Sequence, residues 1–323
     1  MNTTEWLATY YKLNNSFKKK LVFRLGVDSG FFSEYNNMVL AMLYCLKHSI
    51  KFELYSDFTK FTMRDGWNDF FVPFGNINQH RINKDYNLRP YIVEQSKEAP
   101  LQKLVKYRYI RAAYKILFNV DYMTQDLWAY HRDPKFAEER FDFPALSLHN
   151  APLLEATQKF IQAFWRYNTQ TAAAVAGHIH SVELPTDGYV SLHVRAGDKF
   201  TETEVFDFSE YMKPAMELSH NRKAFIMTDD YTVVEQLQRQ YADWQFWTLC
   251  TPADRGYFHT KFIKHDQNEK YQHHLRLFAE IDISAKAQHF IGTYSSNIGM
   301  FMGMRIGEER CRCIDFDHWL IWQ

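Results

Sequence analysis

The chain has 323 residues with 38 basic and 38 acidic side chains, so its formal net charge is zero. A balanced charge argues against a general nucleic-acid binder, which needs a basic surface. The length allows two domains, and the 17% share of aromatic residues is typical of a large aromatic core and also suits stacking on sugar rings.

The N-terminus and the cysteines predict a cytoplasmic protein. The start is polar, with no secretory signal, and no apolar run approaches about 18 residues, so we expect no membrane-spanning segment. Cys311 and Cys313 are too close for a routine disulfide and lack the spacing of a zinc site. We therefore expect reduced, structural thiols.

The first elements in chain order predict a βαβ unit. A strand over 21–25 ends at Gly26, a buried helix follows over 34–47, and a second strand covers 51–55. The basic run Lys18–Lys20 precedes the first strand. We interpret it as a solvated flank, with membrane contact as the alternative.

The segment that follows is less regular. Residues 57–100 are rich in turn formers, and we expect Trp67, Phe70, Phe71 and Phe74 to pack into the core. Helical patterning returns over 101–117 and over 152–176. The stretch between these helices contains 128–132, which we expect to be a connecting loop, with an acceptor cleft as the alternative.

The second half predicts a parallel sheet covered on both faces. The turn at 184–188 is interpreted as a boundary between a domain of residues 1–184, where we expect the acceptor to bind, and a nucleotide-binding domain of residues 185–323. We expect strands over 189–194, 223–227, 246–249, 289–292 and 311–316, with helices over 209–218, 232–241, 270–284 and 296–304.

The first predicted strand of this half ends in a polar bend that contains His193, Arg195, Asp198 and Lys199. Ligands of open α/β sheets bind at the carboxyl ends of strands, and arginine can bind a phosphate through two hydrogen bonds. Glu202 or Glu204 follows closely enough to act as a general base. The alternative is a surface cluster of salt bridges.

Two other predicted strands also end in polar residues. Asp229 and Asp230 follow the strand over 223–227, where Asp229 either points into a cleft or, like Asp230, caps the next helix. Ser295, Ser296 and Asn297 begin a helix, where free N–H groups and hydroxyls suit an anion, although Ser295 alone is equally typical of an N-cap.

A helix in the same half carries carboxylates in the stretch 280–283, among apolar neighbours. Such a carboxylate needs a partner, either the two N–H donors of a guanine edge or a cation of the protein. No Asp-x-Asp triplet follows a strand, and neither a P-loop nor a zinc-binding histidine pair occurs.

These motifs, in this order, resemble those of the alpha-1,6-fucosyltransferases, the family of core-fucosylation and Nod-factor enzymes. The resemblance rests on 193–199, 228–230 and 293–297, and less specifically on 29–31 and 66–67. It covers residues 187–305. The chain departs from the family pattern at Ala196, where the family often has a second arginine.

The resemblance implies a GT-B-like fold of two α/β domains, with a Rossmann-like C-terminal domain for the sugar donor. It also implies inverting transfer of fucose from GDP-fucose to a glycan hydroxyl, without a metal or other cofactor. We keep as alternatives another nucleotide-sugar donor, another fucosyl linkage, or a non-catalytic binding protein. Such an enzyme would be bacterial or viral and cytoplasmic, or a trimmed Golgi-lumen catalytic domain.

The resemblance also implies roles for individual residues. Arg195 would bind the β-phosphate of GDP, and Glu202 would be the base, in a network with Asp198 and Lys199. The remaining nucleotide contacts would come from Gly30 and His193 in the pocket wall, Ser295, Ser296 and Asn297 at the phosphates, and Asp282 at guanine.

Overall fold

The structure is a computed structural model that describes residues 1–27, 29–59, 61, 63, 65–90, 92, 101–195, 206–256, 262 and 264–321. The chain divides into two compact units, Met1–Asn168 and Thr169–Trp322. Each unit contains a parallel sheet with helices between its strands, so the expected α/β class is confirmed.

The first unit contains the expected βαβ arrangement, which follows an N-terminal helix. Its elements are α1 (Thr3–Ser16), β1 (Lys19–Arg24), α2 (Phe31–Lys47), β2 (Ile50–Tyr55), α3 (Ile82–Tyr86), α4 (Leu101–Leu117), β3 (Tyr122–Met123), α5 (Thr124–His131), β4 (Arg140–Phe143), β5 (Leu148–Pro152) and α6 (Leu153–Phe164). β1 lies between β2 and β3 and is parallel to both, whereas β4 and β5 form a separate antiparallel pair.

Helix α2 and its aromatic neighbours form the core of this unit. Most residues of α2 are buried because both α5 and α6 pack against it. The four aromatic residues expected in the core are all buried, and the rings of Trp67 and Phe71 stack with their centroids 4.4 Å apart.

The helix expected over 152–176 is interrupted, so α6 ends at Phe164 and a separate helix begins at Thr169. The N–H of Val72 donates to the carbonyl of Arg166 at 2.8 Å, and the N–H of Asn168 donates to that of Phe70 at 3.0 Å. These bonds with a distant segment replace the helical bonds that local sequence would favour, which is why the periodicity alone did not reveal the break.

Other elements also differ from the expectations. Helices α1 and α3, strand β3 and the β4–β5 pair were not expected, and 128–132 lies largely in α5 instead of a loop. The start of α1 did carry a sequence signal, because Asn2 and Glu5 form a reciprocal capping box. No comparable local signal marks β4 and β5, whose pairing depends on contacts between two short segments.

The second unit follows the expected order of strands and helices. Its elements are α7 (Thr169–His180), β6 (Val190–Val194), α8 (Phe208–Leu218), β7 (Lys223–Thr228), α9 (Tyr231–Gln240), β8 (Gln245–Thr248), α10 (Gln267–Lys286), β9 (Phe290–Gly292), α11 (Asn297–Ile306) and β10 (Cys311–Cys313). The strand order is β10-β9-β6-β7-β8, and all neighbouring pairs are parallel.

The apolar core of this unit explains why the sequence pattern predicted its strands and helices. β6 and β7 are buried along nearly their whole length, and α8 and α9 contribute apolar residues such as Met212 and Leu237 to the same cluster. The division into units precedes the expected boundary at 184–185, because α7 packs against α10 within the second unit.

Candidate functional site

The polar motifs of the second unit lie at the carboxyl ends of three adjacent strands. Backbone pairing aligns Val194 of β6 with Thr228 of β7, and Leu192 of β6 with Ile291 of β9. From β6 the chain continues through β7 and β8 on one side and then returns to β9 and β10 on the other. The gap between β6 and β9 is therefore a topological switch point, where open α/β sheets bind ligands.

His193 and Arg195 occupy the end of β6 at this switch point. His193 is buried, and its ring stacks on that of Phe290 in β9, with the ring centroids 6.1 Å apart. Arg195 is half-buried and follows the last residue of the strand. The structure thus brings a histidine and a cation to the position where the sequence predicts the anionic ligand.

The beginning of α11 lies beside them, after β9. Ser296 is the N-cap, and its Oγ accepts the N–H of Gly299 at 2.9 Å. Asp315, which the sequence analysis did not identify, accepts the N–H groups of Tyr294 at 2.8 Å and Ser295 at 2.9 Å. Part of the expected anion site is therefore already bonded to a carboxylate of the protein.

The two aspartates after β7 have different positions. Asp230 is the N-cap of α9, and its carboxylate accepts the N–H of Thr232 at 2.9 Å. Asp229 is half-buried, and its carbonyl accepts the N–H of Gly256 at 2.8 Å. Only Asp230 therefore has the capping role, which was one of the two interpretations of this pair.

Glu280 on α10 has the most perturbed carboxylate near this edge. Glu280 is only 5% exposed, and its Oε1 has no hydrogen-bond partner. Burial raises the pKa of Glu280 from 4.5 to about 7; Arg276 opposes the rise, while Asp254 and Asp229 add to it. Arg276 is itself bound by Asp254 through two bonds of 2.8 and 3.0 Å.

Asp282, two residues further along α10, lies towards the amino end of the second unit's sheet. At this end of the helix the hydroxyl of Tyr189 donates to the carbonyl of Ile283, and Ser191 and Ser284 share a hydrogen bond. Tyr189 and Ser191 mark the amino end of β6. The carboxylate of Asp282 accepts a 2.6 Å bond from Arg305, which is the salt bridge that the sequence analysis kept as the alternative.

Gly30 belongs to the first unit, where it precedes the first residue of α2. The loop before it is organised by Glu34, whose carboxylate accepts the N–H groups of Gly26 at 2.9 Å and Val27 at 3.2 Å. Arg89 forms a buried ion pair with Glu34 at 2.6 Å. No sequence pattern indicates the pairing of Glu34 with Arg89, because it depends on tertiary contacts.

The predicted base and its network, Glu202 or Glu204 with Asp198 and Lys199, lie outside the described residues. Among the residues that the structure describes, no group of three His, Cys, Asp or Glu side chains is arranged to hold a metal ion. Within the same ranges no helix combines the length and apolar character needed to cross a bilayer.

Solved structures support the fold of this chain. A NodZ alpha-1,6-fucosyltransferase soaked with GDP-fucose matches with a TM-score of 0.50 and 13% identity, over 90% of this chain and 93% of that one. Fucosyltransferase NodZ from Bradyrhizobium matches with a TM-score of 0.50 and 14% identity, over 94% and 97%. The GT-B-like class implied by the resemblance is therefore confirmed.

A plant structure has the same fold. A mutant of Arabidopsis thaliana FUT1 in complex with GDP matches with a TM-score of 0.50 and 9% identity, over 95% of this chain and 74% of that one. At these identities the structural likeness shows the fold alone.

The sequence comparisons show the family. A comparison with curated proteins finds no match. The family described as alpha-(1,6)-fucosyltransferase N- and catalytic domains matches residues 139–301, half of the chain, including the strand ends of β6, β7 and β9. This protein therefore belongs to the alpha-1,6-fucosyltransferase family.

Proposed function

We propose that the protein is an inverting glycosyltransferase that moves fucose from GDP-fucose to a hydroxyl of a glycan, forming an alpha-1,6 linkage. The observation that carries the proposal is the meeting of three motifs at one switch point, with Arg195 after β6, Asp229 after β7 and Ser295 after β9. Membership of the family and the GDP-containing neighbours support the choice of sugar donor.

Arg195 is the proposed cation for the departing diphosphate. As the glycosidic bond to GDP breaks, the sugar gains oxocarbenium character and the phosphate oxygens gain negative charge. A half-buried guanidinium fixed at a strand end stabilises that charge in the transition state. Ser295, Ser296 and Asn297 at the start of α11 are the proposed neighbours of the same phosphates.

Glu280 is the proposed guanine-binding residue, in preference to Asp282. The ionised form of a buried carboxylate with an unpartnered oxygen gains two hydrogen bonds from the N–H donors of a guanine edge, whereas Asp282 is bonded to Arg305. His193, stacked on Phe290, would form the wall of the same pocket. Asp229 would lie close to the guanine ring, because its charge helps to raise the pKa of Glu280.

The acceptor hydroxyl needs a base, for which Glu202 is proposed, in a network with Asp198 and Lys199. The reaction is proposed to proceed without a metal, because cations of the chain would neutralise the diphosphate. Glu202→Gln should lower kcat far more than GDP affinity, and retention of turnover in this variant together with its loss in Glu204→Gln would assign the base to Glu204.

The test is transfer of labelled fucose from GDP-fucose to a panel of glycans, with and without EDTA, followed by analysis of the linkage and anomeric configuration. Arg195→Ala should lower transfer at least about 100-fold. Arg239→Ala, an exposed cation at the end of α9, is the control and should retain full activity.

Three outcomes would contradict parts of the proposal. Near-complete activity of Arg195→Ala would show that Arg195 does not stabilise the departing diphosphate. Loss of activity in EDTA would contradict metal independence. Tighter binding of UDP than of GDP by calorimetry would instead indicate another nucleotide-sugar donor, and binding without transfer to any glycan would indicate a non-catalytic protein.

A further inference from the structure

Helix α4 in the first unit exposes an apolar stripe to solvent. Val105, Tyr109 and Ile116 are 59%, 74% and 81% exposed, and their spacing places them on one face of the helix. The stripe is about 17 Å long at 1.5 Å per residue. Tyr114, on the opposite face, is buried in the core. One face of the helix therefore packs on the core, and the other faces solvent.

The end of the helix extends this apolar surface. Leu117 is 76% exposed, whereas the ring of Phe118, which directly follows the helix, packs on the rings of His80 and Tyr114. Large apolar side chains exposed singly are ordinary on a protein surface, whereas a contiguous group indicates an interaction site. We call Val105, Tyr109, Ile116 and Leu117 the α4 patch.

Cations surround the α4 patch. Helix α4 contains several basic residues and no acidic one. Arg111 and Lys115 share the carboxylate of Asp126 in α5, each at 2.9 Å. Lys106 and Arg108 are exposed on the two sides of the stripe, so positive charge flanks it along its length.

Basic residues at the start of β1 lie beside the end of helix α4. The Nζ of Lys20 donates to the carbonyl of Phe118 at 3.2 Å, and Lys18 and Lys19 are exposed. Besides Asp126, the described acidic groups here are Asp121, which accepts the N–H of Lys20, and Glu53, which pairs with Lys20 and Lys51. Among the residues that the structure describes, cations outnumber carboxylates around the patch, although the whole chain has a formal net charge of zero.

We propose that the α4 patch and its surrounding cations dock on the surface of a lipid bilayer that contains anionic phospholipids. A basic amphipathic helix with exposed aliphatic and aromatic residues is typical of peripheral membrane contact. The apolar side chains enter the boundary between headgroups and acyl chains, and the cations bind the anionic headgroups. This docking is independent of the reaction proposed above.

Charge complementarity favours a bilayer over a second copy of the chain. In a two-fold dimer built on this patch, each basic rim would face the same basic rim of its partner. An anionic bilayer offers both an apolar layer and the opposite charge. Because only one face of α4 contacts the bilayer, the attachment is reversible. It weakens as the salt concentration rises, because salt screens the charges.

The test is flotation of the full-length protein with vesicles of phosphatidylcholine alone and with one quarter phosphatidylglycerol. We expect partitioning onto the anionic vesicles that falls at least tenfold in 0.5 M salt, in line with roughly fivefold per cation near the surface. Ile116→Glu should abolish most of it. The paired change Lys106→Glu with Arg108→Glu should lower it by at least about tenfold.

Matched controls separate the patch from general effects. Met216→Glu changes a 53% exposed apolar residue on α8, and Arg239→Glu reverses an exposed charge on α9; both should bind vesicles as the wild type does. Circular dichroism and melting temperature show whether each variant is folded.

Two results would overturn the proposal. One is equal flotation of folded wild type and Ile116→Glu with anionic vesicles, or no flotation at all. The other is a concentration-dependent dimer in sedimentation that Ile116→Glu dissociates, which would assign the α4 patch to a second copy of this chain.

Discussion

Glu34 in the first unit and Glu280 in the second are both buried carboxylates on helices that connect parallel strands, but their surroundings differ. Glu34 accepts backbone N–H groups from the loop before α2 and forms an ion pair with Arg89. Glu280 has an oxygen without a hydrogen-bond partner, and burial raises its pKa to about 7.

Hydrogen-bond partners distinguish a structural carboxylate from a candidate for ligand binding. A buried charge is stable when protein groups satisfy it, and Glu34 thereby fixes the loop that contains Gly30. A buried carboxylate that the protein leaves partly unsatisfied favours its neutral form until a ligand supplies N–H donors. Four predictions test this contrast.

The largest expected effect is on folding, at the Glu34 pair. Arg89→Ala should lower the free energy of unfolding by about 3–5 kcal/mol, because it leaves a buried carboxylate without its cation. Urea unfolding measures the change. Lys213→Ala, which breaks an exposed pair with Glu210, is the control and should have little effect. A comparable loss in both variants would show that the Arg89 pair has no special structural role.

The second prediction concerns the pH dependence of stability at Glu280. The pKa rises from 4.5 unfolded to about 7 folded, so the folded state binds more protons between these values. Stability therefore falls as pH rises through this window, by about 3 kcal/mol in total. In Glu280→Gln this contribution should disappear, as urea unfolding from pH 4 to pH 8 would reveal.

The same variant tests whether Glu280 binds the guanine of GDP. At pH 8 Glu280→Gln should bind GDP at least about tenfold more weakly, because an amide cannot accept two N–H groups through two anionic oxygens. Wild-type protein should release protons when it binds GDP near pH 6, since guanine favours the ionised carboxylate. Calorimetry in buffers of different ionisation enthalpy measures this, and unchanged GDP affinity in the variant would disprove the assignment.

The third prediction compares two glycines. A Cβ at Gly299 would lie 2.0 Å from the carbonyl oxygen of Thr293, whereas a Cβ at Gly30 meets no atom within 4 Å. Gly299→Ala should lower stability by about 1–3 kcal/mol, while Gly30→Ala should leave it unchanged. The family resemblance implies a nucleotide contact at Gly30, and on that implication Gly30→Ala should raise the KM for GDP-fucose. An unaltered KM would contradict the implied contact.

The smallest effect is expected at Asp282. Asp282→Asn removes the charge from a partly buried ion pair with Arg305 at the amino end of the sheet but keeps an oxygen that accepts the hydrogen bond, so stability should fall by about 1 kcal/mol. GDP affinity should not change, which calorimetry would verify. A large loss of GDP affinity here, with Glu280→Gln unaffected, would restore the guanine role that the resemblance implied for Asp282.

The sequence predicted the second unit better than the first, for a physical reason. Buried parallel strands are continuous apolar runs, and their helices repeat at a regular spacing, so both are visible locally. In the first unit, the break after Phe164 results from backbone bonds to Phe70 and Val72. Local hydrophobic periodicity does not indicate such long-range pairing.

By itself the sequence determined the α/β class, the order of most elements and the three polar strand ends that Arg195, Asp229 and Ser295 mark. Only the tertiary structure decided which carboxylate on α10 lies near those strand ends and which is bonded to Arg305. Glu280 and Asp282 are two residues apart on one helix, where a rotation of about 200° directs side chains to different neighbours. Burial and hydrogen-bond partners are properties of those neighbours, which come from distant parts of the chain.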